Sequence, residues 1–526
     1  MEFNLARKPW IPVVDLDGND DAVSLIDVLR RAHELRRILA EAPAVTAALH
    51  RIVLAMAHRV YGPPSREAWK QLWKDDAFPV EPLEEYLEEY ADHFDLFHPE
   101  RPFLQCPDLV VCGYSTPAKL VAYRSSGNNA TLFDQTLASD RSLLEPGEAA
   151  RWLVTLHAYD PGGLKTPFLK EKSSERAPCN FFGCVLVEGD SLKQTLLLNM
   201  PVYNPKSEEP SMTTAEDAPA WERKPPVPQP QVRTPRGWTD LLTWPSRRVL
   251  LSRTADNMVD GVVITPGTRL RADLSDVELM AAFGRTATRV SKRGQKPFTS
   301  YGPWQAVQLE ALRGVWRHSQ ELLLARTNVR RRPEPLEHVA GMVEQGIIPE
   351  STVYTIRVFG QQLNKKGAVV ERWLEETVPA PVSLLRAEHD RAGRIIGHAV
   401  FLADEVGSAL RKMERDYHAE LSADPSSDLE LAYWPKLTAP FAVFLSSLGE
   451  AMEERRSETP AAEVWARAVG RVARVAAIQW ADGTPRRERS LLAAAEHLGN
   501  FTGRLSWLLK RFHASIAGFT AAEGAQ

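Results

Sequence analysis

The chain has 526 residues, 44% of them hydrophobic and 25% charged, with a net charge of -4. That is more chain than one hydrophobic core usually serves, so two or three domains are expected, and the composition excludes a disordered, fibrous or membrane-embedded class. Cys106, Cys112, Cys179 and Cys184 are too few and too irregular for a disulfide framework and hold no zinc-knuckle spacing, so buried reduced thiols in a cytoplasmic protein are expected.

The first ten residues lack the apolar core of a signal peptide, and no uncharged run approaches the length of a membrane span. Residues 1–200 alternate helical and extended patterns. Ser24 followed by Asp27 reads as a capping-type helix start leading into Leu25, Val28, Leu29 and Leu35. Leu49, Ile52, Val53, Met56 and Val60 repeat at helical spacing until Gly62 stops them. Between Tyr123 and Phe168, two flexible loops bracket an amphipathic helix. One carries Asn128 and Asn129 ahead of an apolar tip, Leu132-Phe133-Asp134; the other is Asp160-Pro161-Gly162-Gly163-Leu164-Lys165. Bare glycine backbone beside a cation, and an aromatic tip, suit contact with a polymer better than catalysis.

Cys184 to Val187 and Thr195 to Leu198 both read as short strands, so mixed α+β is expected here. Residues 204–236 hold eight prolines among polar residues, which predicts a surface excursion that neither pairs nor coils. From 281 to 334 the chain turns basic. Lys292-Arg293-Gly294 is a hairpin-like tip fit for a phosphate or a base edge.

The last 145 residues change character. Leu385, Ala392, Ile396, Ala399, Ala403, Val406, Leu410, Met413 and Tyr417 alternate steps of three and four. A second stripe runs through Phe441, Phe444, Leu445, Leu448 and Met452, a third through Val464, Ala468, Val472 and Val475. A fourth takes Leu491, Ala495, Leu498, Leu505, Leu508 and Phe512. The expected class is therefore α+β, with a mixed domain over 1–378 and an antiparallel four-helix bundle over 379–526. Arg467, Arg471 and Arg474 share one face of the third helix and form a possible phosphate track, although Glu463 is spaced to pair with Arg467.

The usual catalytic patterns are missing. The sequence has no phosphate-binding Walker loop, no Gly-x-Ser-x-Gly elbow and no His-Glu-x-x-His. His389-Asp390 is the dipeptide that metal-dependent nucleases use, but His398 and His418 offer it no convincing partners, and a purely structural scaffold is the other rival reading. No catalytic residue, metal or cofactor is expected.

With these features in view, the whole chain resembles the CasA family, the large subunit of the type I-E CRISPR surveillance complex Cascade. The resemblance is carried by Phe3-Asn4-Leu5, Pro9-Trp10-Ile11-Pro12-Val13, the run from Phe94 to Gln105, Tyr159-Asp160-Pro161-Gly162-Gly163 and Leu198-Asn199. It implies a subunit that works with a guide RNA, double-stranded target DNA, other Cascade subunits and a helicase-nuclease, and with no membrane. The loop from Gly127 to Asp134 would then reach the start of the guide and the protospacer-adjacent motif. Gly162-Gly163 would enter the minor groove of that motif, joined by Lys292 or Arg293. A wedge that parts the duplex corresponds to Asn364-Lys365-Lys366, with Gln361-Gln362 as the alternative. Some relatives carry a zinc-like cysteine cluster that this sequence lacks.

Overall fold

The computed structural model describes residues 3–123, 143–290, 298–386, 390–424 and 426–521. It divides into two compact units. The first comprises 1–309, 333–338 and 357–375; the second comprises 310–332, 339–356 and 376–526.

The first unit is built around the Pro43–Tyr61 helix, nearly all of which is buried. The Pro146–Tyr159 and Trp238–Leu242 helices pack on it. Ser24 does start a helix, and its hydroxyl accepts the Asp27 N–H at 3.1 Å, but the helix spans only Leu25–Arg30 and Leu35 opens a strand instead. A small antiparallel sheet takes Ile11–Asp15 as its centre, between Asp20–Val23 and Leu35–Ile38. The strings that carry the resemblance fold onto each other. Asn4 bridges to Asp95, the Leu5 N–H donates to the Phe94 carbonyl at 2.8 Å, and the Leu96 N–H donates to Phe3 at 3.0 Å. Gln105 then ties this layer to the Arg247–Arg253 strand by accepting the Leu251 N–H at 2.9 Å. That strand pairs antiparallel with Val259–Pro266.

Two further expectations fail here. Cys184–Glu188 is a strand, but Thr195 to Leu198 lie in the Leu192–Leu198 helix. Ser191 caps that helix by accepting the Gln194 N–H, and an end cap outweighs the strand preference of a short apolar run. Nor is 204–236 a plain surface excursion. Gln231–Arg233 pairs in parallel with Thr268–Leu270, and Trp221 is buried against Phe94 and Phe103. Buried Asp217 accepts the N–H groups of Thr239 and Asp240 at 3.0 Å, so it caps the next helix from 22 residues upstream. The prolines fix a packed path.

The second unit contains four long helices, Asp390–Glu420, Thr438–Glu453, Thr459–Asp482 and Glu488–Ala521. The first packs on the third and fourth, which pack on each other, and the second packs on the third. Trp316, Trp434, Trp465 and Phe441 fill their core, and the Trp465 indole donates to the Ala399 carbonyl at 2.9 Å. The first apolar stripe is buried throughout and the second nearly so. The third and fourth hold in part: Ala468, Leu505, Leu508 and Phe512 are buried as expected. Val464, Val475 and Leu491 are exposed, whereas Trp465, Val469, Ala473, Ala476, Ala493 and Ala494 are buried. Alanine-rich helices are apolar on several sides, and Trp465, the largest group, decides which side turns inward.

Several cations of the basic block are engaged internally. Arg313 pairs with Glu430 at 3.1 Å and Arg317 with Asp404 at 2.8 Å. Arg332 is buried and donates to the carbonyls of Leu323 and Leu385.

At the centre of the first unit, Arg51 and Glu278 form an ion pair at 3.1 Å with almost no exposed side-chain surface. The Arg51 guanidinium also donates to the Leu241 carbonyl at 3.4 Å. Removing one member of such a pair strands the other charge in a medium that cannot solvate it. Arg51→Ala is expected to cost about 3–5 kcal/mol of stability, while Arg51→Met with Glu278→Leu recovers most of that loss. Denaturant midpoints of the three variants check this.

Candidate nucleic-acid interface

The glycine loop begins where the Pro146–Tyr159 helix ends, with Asp160 as its C-terminal cap. Gly163 then opens a short hairpin, Gly163–Phe168 with Glu171–Ser174. Gly163 has φ +119°, which L side chains rarely adopt. Gly162 is confined for a different reason: a Cβ there would lie 3.3 Å from the Arg176 stem and from the Ser174 carbonyl.

Asp160 fixes the loop from below. Its buried carboxylate receives Lys165 Nζ at 2.6 Å and Arg247 Nε at 2.5 Å. The Asp160 carbonyl accepts the Ala177 N–H, and Arg247 also donates to the Glu175 carbonyl at 2.7 Å. Burial alone would push the Asp160 carboxyl up, but the Lys165 and Arg247 charges outweigh it and hold the group below its ordinary value. Burial pulls the Lys165 ammonium down against the attraction of Asp160. Lys165 is thus a strut of the loop, turned inward rather than outward.

The second element is the long hairpin Val353–Leu363 with Val370–Pro381, which joins Cys184–Glu188 in a three-stranded sheet. Its turn is Asn364-Lys365-Lys366-Gly367. Asn364 builds that turn: its N–H donates to Val369 at 2.9 Å and its side chain accepts the Ala368 N–H at 3.0 Å. Lys365 and Lys366 are exposed at the apex. Gln361 points the other way and donates to the Tyr159 carbonyl and to Asn180 Oδ1, both at 2.6 Å. Gln362 stays near the surface and reaches Glu371 at 3.4 Å. Of the two wedge alternatives, then, Gln361 anchors the hairpin while the lysines crown it.

Loop and turn meet directly. The Gly162 N–H donates to the Gly367 carbonyl at 3.0 Å, and Gly367 has φ +68°. On its other side, Ala368 to Val370 line a cavity of about 700 Å³ shared with Trp152, Tyr159 and Trp373. The hairpin faces space there, so the Gln361 and Gly162 bonds hold its turn end beyond the sheet it shares with Cys184–Glu188.

Arg176, unremarked in the sequence, is the cation at this seam. Its stem lies against Gly162 and Gly367, and its exposed guanidinium covers the Phe181 ring at 4.4 Å. No sequence pattern marks it, because only the folded hairpin brings residue 176 beside residue 367.

Asn128, Asn129, Leu132, Phe133, Asp134, Lys292 and Arg293 lie outside the described residues. The strands flanking the last two, Ala287–Val290 and Phe298–Tyr301, pair antiparallel as a hairpin requires. In the second unit, Arg467, Arg471 and Arg474 are exposed along one helix face with Val464, Val475 and Ile478. Glu463 stands 3.7 Å from Arg467. His389 is outside the described residues, and among those described no group of three His, Cys, Asp or Glu could hold a metal ion. Among the described residues no helix is long and apolar enough to cross a membrane.

The model of the CRISPR-associated protein Cse1 family matches residues 4–476. The CRISPR-associated protein CasA/Cse1 of Thermus thermophilus is 32% identical over 476 residues, which is 85% of this chain and 88% of that one. The crystal structure of Thermobifida fusca Cse1 superposes with a TM-score of 0.80 at 27% identity, covering 97% of this chain and 98% of the other. A chain of a CRISPR RNA-guided surveillance complex shares the fold, with a TM-score of 0.74 at 23% identity over 95% of this chain and 99% of that one.

The Asp160 cluster makes the stability of the fold depend on pH. A carboxylate with a depressed folded pKa stabilises fully above its unfolded value, about 4, and loses that contribution as pH falls through the folded value. Asp160→Asn is expected to cost about 3–5 kcal/mol at neutral pH, because Lys165 and Arg247 lose their counter-charge. The gap between variant and parent should close below about pH 4, measured as denaturant midpoints between pH 7 and pH 2.

Proposed function

The chain belongs to the CRISPR-associated Cse1 family, and on that premise we propose that it is the large, non-catalytic subunit of a Cascade-type RNA-guided surveillance complex. In this reading it works in the cytoplasm, finds the protospacer-adjacent motif in duplex DNA through the minor groove, begins strand separation and helps recruit the helicase-nuclease. The observation that carries the reading is the bond between Gly162 and Gly367, which sets a side-chain-free loop beside a turn crowned by two exposed lysines.

The physics suits the task. The minor groove offers a degenerate pattern of acceptors, so backbone and a cation can accept several related motifs there. Glycine lets the main chain approach where a Cβ would collide. A hairpin inserted next to the gripped pairs opens the duplex at an unstacking cost of a few kcal/mol per step. Guide pairing then reads the remaining sequence. The loop from Gly127 to Asp134 and the tip holding Lys292 and Arg293 complete the reader. The four long helices form an antiparallel four-helix bundle whose Arg467, Arg471 and Arg474 stripe holds DNA phosphates, with an affinity that falls steeply with salt.

Substituting the glycines confounds contact with strain, since Gly162 is crowded and Gly163 has a positive φ. Lys365 and Lys366 give the cleaner test, being exposed on a turn built by Asn364 and Gly367. Lys365→Ala with Lys366→Ala in the assembled complex is expected to weaken binding to motif-bearing duplex about tenfold or more while sparing the same target pre-melted across the guide-paired segment. Equal loss on both substrates, or no loss on either, overturns the wedge assignment.

A further inference from the structure

Arg176 sits where the two halves of the proposed reader touch, yet neither half claims it. We propose that Arg176 is a phosphodiester-binding residue that holds the DNA backbone at the seam between glycine loop and hairpin turn. The inference rests on the minor-groove reading above and adds to it a contact with the strand being parted.

Three observations carry it. The aliphatic stem is fixed on two sides by backbone that has no side chain: a Cβ on Gly162 would lie 3.3 Å from Arg176 Cγ, and one on Gly367 would lie 3.4 Å from Arg176 Cδ. The guanidinium lies over the Phe181 ring, its carbon 4.4 Å from the ring centroid, and the residue is exposed. Among the described residues no carboxylate is paired with it, whereas Arg247 has Asp160 and Arg357 has Glu375. A stacked, unneutralised, exposed guanidinium is pre-ordered for the planar two-point recognition that phosphate offers, and it loses little rotamer freedom on binding. Lys165 cannot supply this charge, because Asp160 holds it inward at 2.6 Å. Lys365 and Lys366 stand two and one residues before Gly367, so Arg176 extends their charge along one edge.

The test uses the full chain in the assembled, guide-loaded complex. Arg176→Met keeps the stem against Gly162 and Gly367 and removes only the charge; Arg176→Lys keeps charge without the flat, stacked head. Affinity for motif-bearing duplex is measured against salt, with the thermal midpoint of each variant as a fold control. Arg176→Met should bind about tenfold more weakly at low salt, with the log–log salt slope shallower by about 0.9, the signature of one lost phosphate. Arg176→Lys should retain the slope. An unchanged slope in Arg176→Met, with a matching thermal midpoint, overturns the proposal. So does a slope change that appears only when the subunit associates with the guide-bearing remainder, which would place the phosphate in RNA. If Arg176→Met is silent while the paired Lys365 and Lys366 substitutions act, the Arg176 assignment alone fails. If both are silent, the seam itself is not the reader.

Discussion

Everything at the seam depends on one buried carboxylate. Asp160 ends a helix, begins the glycine loop, and draws Lys165 and Arg247 to a single oxygen. Two cations sharing one acid inside a protein would repel each other without it, so the carboxylate is the condition for the arrangement rather than an ornament on it. Through Lys165 it holds the hairpin that follows Gly163; through Arg247 it holds the strand that runs under the loop. The loop can therefore be made of glycine, with no side chain to anchor it, and still have a fixed position.

That arrangement also decides which charges are available to a ligand. Lys165 is consumed internally, and Gln361 is consumed in tying the hairpin to Tyr159 and Asn180. Lys365, Lys366 and Arg176 stay outward, residues far apart in sequence brought together because Gly162 bonds to Gly367. The division of labour is physical: groups within reach of buried carbonyls and carboxylates become supports, and those on turns keep their charge for solvent or a partner.

Some of this was legible in the sequence. The strings at residues 3–13 and 94–105 stood out, and their prominence is structural, since Asn4, Asp95, Trp10 and Gln105 lock backbone segments together. The first helix seam was legible because its apolar residues occupy only one side. The third was misread because Val464 and Val475 share a face with the arginines while small alanines and Trp465 turn inward. Lys165 was misread for another reason. Sequence shows a lysine beside glycines, but it does not show that a turn of five residues folds that lysine back onto Asp160. Arg176 carried no signal at all. The glycine loop and the hairpin turn were each visible as candidates; their contact was not, being a matter of long-range backbone pairing.

The long hairpin has a consequence for how such a chain can be divided. Residues 357–375 belong to the first unit, although the chain on either side of them belongs to the second. A gene shortened after residue 309 would therefore not encode a self-sufficient front half. It would omit the partner of Cys184–Glu188, leaving a strand of buried apolar residues with an open edge, the sort that recruits other chains into aggregates. Recombination between relatives meets the same barrier, because the glycine loop and the hairpin turn are joined by the Gly162–Gly367 bond although they lie far apart in sequence.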